Sequence, residues 1–169
     1  MEVSRVRALR GPNLWSHHPA VEAIVTCTPE EESIGELPGF ESRLRVRFPQ
    51  IGGLQPFGHY ETIPLAHVLE LVALHLQAEA GCPVTFSRTT ATLETGIYQV
   101  VVEYSEEDVG RQALELAQQL IEAARNDTPF DVPAALAQAR ATDEDVRLGP
   151  ATGSIVQAAV GRNIAFRRM

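Results

Sequence analysis

Residues 64–81, PLAHVLELVALHLQAEAG, carry apolar side chains at helical spacing, and residues 96–104, GIYQVVVEY, form a β-branched and aromatic run. A helix and a buried strand this close along the chain must hide their apolar surfaces against each other, which restricts the chain to layered α+β arrangements. The helix brings its own punctuation: Thr62 as cap, Pro64 in the first turn and Gly81 as the stop, with Leu65, Leu69, Val72, Leu76 and Glu79 marking its length. The strand, built on Ile97, Tyr98 and Val100 to Val102, suits the centre of a sheet.

The remaining segments fill in the layers. Residues 3–9 alternate and end on Gly11-Pro12, residues 20–28 alternate more weakly, and residues 83–88 are a further short strand. Residues 38–49 start at a proline and read as a helix, although Arg43, Arg45 and Arg47 alternating with Leu44, Val46 and Phe48 leave a strand open. Ser105, with Asp108 three positions on, opens a long helix to about residue 126, with Leu114, Ala117, Leu120, Ile121 and Ala124 inward. Asp131 and Pro133 start a short helix to Arg140, and residues 142–150 read as a linker or strand edge. The expected fold is α+β: a small mixed or antiparallel sheet packed on two long helices in a single compact domain. Residues 153–162 fit one more helix and 164–168 a strand, which together read as the opening of a further domain.

Composition narrows the chemistry. At 169 residues and 44% hydrophobic content the chain can bury a core without metal or disulfide support. No apolar stretch is long enough for a membrane span and the arginine-rich start lacks a signal-peptide core, so a cytoplasmic protein is expected. Cys27 and Cys82 have no CxxC partner and are expected to be buried free thiols. All 14 basic residues are arginine, which leaves no P-loop lysine and no Schiff-base lysine. Of the net charge of −8, residues 16–139 hold −12 and both ends are positive. Such a body repels phosphate backbones and favours basic or arginine-bearing partners, so nucleic acid is not an expected ligand.

Three segments then resemble one family. RALRGPNLWS at residues 7–16 is similar to the RGPN-x-WS opening of cyanophycin synthetases, and HVLELVALHLQ at 67–77 with Gly81, Phe86 and Arg88 resembles their central helix and the strand after it. VRLGPATGSIVQAAVGRNIAFRRM at 146–169 resembles the connector that leads into their ATP-grasp domain. The resemblance implies an N-terminal domain, residues 1–142, with 143–169 as connector. Family members use ATP and magnesium, adding aspartate through the ATP-grasp domain and arginine through a Mur-ligase-like domain. For the N-terminal domain alone the resemblance implies no cofactor and no catalytic residue. Its expected role is to hold the aspartate–arginine polymer, cyanophycin, beside those two domains of the same enzyme, with a homo-oligomer as a possible assembly.

A polymer rich in guanidinium groups calls for acidic side chains with a few arginines among them. The candidates are Glu61, Glu70, Glu94, Glu103, Glu106, Glu107 and Asp108, with Arg88 and Arg111 as carboxylate partners. Glu106, Glu107 and Asp108 are explained equally well as first-turn charges at a helix N-terminus. Some family members carry HxxEH on the central helix, where two histidines one turn apart bind zinc and the glutamate activates water. Here the sequence reads His67-Val68-Leu69-Glu70-Leu71, and leucine cannot ligate a metal. His75 lies two turns from His67, about 12 Å along the axis, too far to share one ion. His59, on the preceding loop, is the remaining candidate. His67 and Glu70 therefore read as remnants of a metal motif lining a polar groove, with a primer-generating hydrolase and a purely structural or oligomerising domain as the alternative functions. Residues 11–18 read as a tight turn packing Trp15 into the core, with a polymer-contacting loop as the other reading. Residues 149–154 read as a helix start without the lysine of a phosphate loop.

Overall fold

The computed structural model describes residues 1–56, 58 and 60–148. Four strands, β1 (Glu2–Leu9), β2 (Ala20–Thr26), β3 (Ser87–Ala91) and β4 (Ile97–Glu103), form one antiparallel sheet in the order β1-β2-β4-β3. The valine-rich β4 lies inside the sheet, as expected, and β1 and β3 are its edges. Helices α1 (Phe40–Arg47), α2 (Leu65–Glu79), α3 (Glu107–Asn126) and α4 (Val132–Leu148) complete the α+β fold.

Strand alternation decides which side the helices cover. Val21, Ala23 and Val25 of β2 and Tyr98, Val100 and Val102 of β4 share one face, and they join Leu65, Leu69, Val72 and Leu76 of α2 and Leu114, Ala117, Leu120 and Ile121 of α3 in a single core. Each fully buried Leu or Val there contributes about 1.5–3 kcal/mol of transfer free energy. The inward positions expected for α3 are all buried. Both cysteines are buried free thiols, and burial pushes Cys27 up to about 11.

The ambiguous arginine segment is a helix because its partners lie at helical spacing. Phe40, Leu44 and Phe48 enter the core from one side. Arg43 Nε donates to the Ala124 carbonyl at 2.6 Å and Arg47 Nη2 to the Thr128 carbonyl at 2.9 Å, so guanidinium groups one turn apart cap the end of α3.

Several local expectations are corrected. Thr62 does not cap α2: the N-cap is Pro64, in extended backbone, and Thr62 Oγ1 donates instead to the Glu32 carbonyl at 3.3 Å. Glu106 rather than Ser105 is the N-cap of α3. The strand expected from residue 83 begins at Ser87, because the Thr85 and Phe86 N–H groups are taken by the Glu103 side chain. The segment expected as a linker or strand edge from residue 142 is helical to Leu148, and Asp143 is buried. Trp15 is half-buried on the β1–β2 turn rather than in the core. That turn is held by Asn13, whose Oδ1 accepts from the N–H groups of Trp15 and Ser16 at 2.9 and 3.0 Å. The helix and strand expected after residue 150, the phosphate-loop-like segment 149–154 and His59 lie outside the described residues.

Candidate functional site

Helix α2 presents His67 and Glu70, one turn apart, to the edge of the sheet at β3. Both are buried, at 8% and 3% exposure, on the border between the apolar core and a cleft. The Glu70 carboxylate is filled from three directions. His67 Nδ1 lies 3.0 Å from Oε2, Ser87 Oγ donates to Oε1 at 2.9 Å, and Thr89 Oγ1 donates to Oε2. A carboxylate so saturated ties α2 to β3 and has little remaining acceptor capacity for an incoming cation. A cleft beside it has a volume of about 440 Å³ and is lined by Gly58 and Tyr60 as well as by β3.

Arg88 stands at this cleft on the opposite face of β3 from Ser87 and Thr89. It is exposed, and among the described residues no ion pair or hydrogen bond engages its guanidinium. Register places Arg88 opposite Val101, which faces Glu22, which faces Arg7, giving one row across the helix-free face. Glu22, buried at 5%, was not among the sequence candidates. It accepts a fork from Arg7 at 3.0–3.2 Å and a bond from Gln99 Nε2 at 3.0 Å. The signal was present, since Glu22 sits between the inward Val21 and Ala23 and therefore had to face the other side.

The structure separates the other candidates. Glu103 is buried, its Oε2 accepting the Thr85 and Phe86 N–H groups at 2.8 Å each, with His18 Nδ1 4.0 Å from Oε1. Glu107, near the start of α3, accepts from Arg10 Nε at 2.9 Å and Arg111 Nε at 3.2 Å. The bond from Arg10 leads the effects that hold its carboxyl below the ordinary range. Glu106 is half-buried at the N-cap, and Asp108, Glu61 and Glu94 are exposed. Of the candidate set, His67, Glu70 and Arg88 line this cleft.

The donors among the described residues do not make up a zinc site. Leu71 occupies the position one turn after His67, His75 turns its Nδ1 to the Leu71 carbonyl at 2.7 Å, and among the described residues no three His, Cys, Asp or Glu side chains converge. Among the described residues no helix is long and apolar enough to cross a membrane.

Comparison with known proteins gives a consistent result. Residues 24–126 match the family described as Cyanophycin synthase-like N-terminal domain. The chain is 33% identical over 185 aligned positions to the cyanophycin synthetase of Trichormus variabilis, covering 100% of the chain and 20% of that relative. It is 32% identical over 186 positions to that of Geminocystis herdmanii and 31% over 185 positions to that of a Synechocystis strain, covering 98% of the chain and 21% of the relative in each case. The chain thus spans about a fifth of the length of these curated relatives.

Proposed function

Because the chain belongs to the family of cyanophycin synthase-like N-terminal domains, we propose that it holds the aspartate–arginine polymer as a non-catalytic platform for the ATP-grasp and Mur-ligase-like domains of such a synthetase. The observation that carries this reading is Arg88: an exposed guanidinium with no partner among the described residues, at a cleft whose buried acid is already satisfied. A polymer side chain ending in arginine offers a carboxylate to such a cation and a guanidinium to nearby acids. Glu61, Glu94, Glu106 and Asp108, which have no ion pair among the described residues, are the acids we assign to that second role. Glu70, Glu103, Glu107 and Arg111 support the frame, since their charged groups are engaged within the domain. The unit proposed to do this comprises the sheet and its helices through α4. ATP and magnesium would serve the synthetase's ligase domains, and no residue described here is assigned to them.

The reading is tested by fluorescence anisotropy with a labelled aspartate–arginine oligomer. Arg88→Glu should weaken binding about tenfold, equivalent to ~1.4 kcal/mol. Equal affinity for the variant and the parent chain would remove Arg88 from the site and with it the basis of this reading.

A further inference from the structure

The geometry points to strand addition: we propose that the outer edge of β3 receives an extended polyamide backbone as a fifth strand, with Arg88 taking a carboxylate from that chain. This inference rests on the polymer-holding reading above and specifies its mode.

The ladder between β3 and β4 fixes which backbone groups are spare. Glu103 N–H donates to the Phe86 carbonyl and Thr92 N–H to the Ile97 carbonyl, both at 2.9 Å. In an antiparallel pair the bonded positions recur every second residue, so Phe86, Arg88, Thr90 and Thr92 turn their N–H and C=O groups toward β4. Ser87, Thr89 and Ala91 turn theirs outward, and no backbone partner engages those groups among the described residues. Three outward residues at two-residue spacing match the repeat of an added strand.

The cleft is placed to hold that strand. It touches Ser87 and Thr89, whose side chains face the core, as well as Arg88 and Thr90, whose side chains face the other way, so it runs along the edge of β3 rather than over one face. Thr89, only 5% exposed, and Tyr60 both line the cleft. The opposite edge of the sheet is unsuited. β1 has a register shift between Ser4 and Arg7, with Arg5 at φ 49°, and such a bulge interrupts pairing. β3 pairs in continuous register and has no proline. The occupant is specified by charge as well as shape: the guanidinium of Arg88, without a partner among the described residues, stands beside a row of backbone donors and acceptors and calls for a chain with a regular amide backbone and carboxylate-bearing side chains.

Amide hydrogen exchange of the full chain, with and without a saturating aspartate–arginine oligomer, tests this directly. The expected result is exchange slowed about tenfold or more at Ser87, Thr89 and Ala91, with little change at Arg88 and Thr90, which already bond within the sheet. Ala91→Pro removes one outward N–H at an edge position that tolerates proline, and should weaken oligomer binding several-fold with an unchanged circular dichroism spectrum. Binding that leaves these three amides unprotected and is indifferent to Ala91→Pro overturns strand addition while leaving polymer holding in place. No binding by the parent chain overturns both. Protection that appears without oligomer and grows with protein concentration would assign the edge to a second copy of the chain and overturn the proposal.

Discussion

Glu70 Oε2 lies 3.0 Å from His67 Nδ1 across one turn of α2, and the same carboxylate accepts the Ser87 and Thr89 hydroxyls from β3. These bonds join the helix to the strand. Replacing Glu70 with alanine strands a buried hydroxyl and a ring nitrogen, which should cost about 2–4 kcal/mol. Urea unfolding of Glu70→Ala measures this, and a midpoint equal to the parent's would show that the carboxylate only lines the groove.

Glu103 performs a similar service one strand away. Its carboxylate takes the two N–H groups that precede β3, and Gln77 Nε2 holds its carbonyl from α2 at 2.9 Å. Glu103→Ala should lower stability by about 2–3 kcal/mol and accelerate exchange at the Thr85 and Phe86 amides. Unaltered exchange at those two positions would count against the tie.

Glu31 contributes to the acid sensitivity of the fold. Burial pushes its carboxyl up, but the Met1 α-ammonium at 2.5 Å, the Thr28 N–H at 2.9 Å and Arg125 together outweigh burial and hold it below the ordinary range. A carboxyl lowered in the folded state binds its proton more readily when unfolded, so its contribution is full above the unfolded value and is lost as pH falls through the folded one. The Glu31 contribution to thermal stability should therefore be constant above the ordinary glutamate range and decline as pH falls below it. Glu31→Gln should lower stability at neutral pH and flatten this acid limb. A variant curve parallel to the parent's across the range would contradict the assignment.

Cys27 and Cys82 are both buried, and burial raises both thiols, Cys27 to about 11. Little thiolate is present at pH 8, so alkylation by iodoacetamide should proceed only on unfolding. Mass spectrometry of native and urea-treated samples checks this, with modification of the native chain as the contrary result.

Much of this architecture was legible in the residues. The α2 and β4 segments announced themselves because periodicity and β-branched density act locally, and α3 because one face repeats apolar residues over five turns. What stayed hidden depended on contacts distant in sequence. Glu103 reaching back to Thr85 and Phe86 delayed β3, and Arg43 and Arg47 meeting the end of α3 decided helix over strand in a segment whose own pattern allowed either. The site was legible in part. His67, Glu70 and Arg88 stand out in the sequence and line one cleft, but the saturation of Glu70 and the buried Glu22 row require knowing which strands pair. Residues 142–148 were misjudged because charge and threonine suggest a linker, whereas buried Asp143, paired with Arg147 at 3.2 Å, continues the helix.

The central claim is that this domain holds the polymer by charge and does not cut it. Calorimetric titration of the chain with aspartate–arginine oligomers at two salt concentrations, with zinc assayed and the oligomer analysed by mass spectrometry on the same sample, tests it most directly. The account predicts saturable binding that weakens as salt rises, no stoichiometric zinc and an oligomer recovered intact. Absence of binding at low salt, or stoichiometric zinc with shortened oligomer, would contradict it.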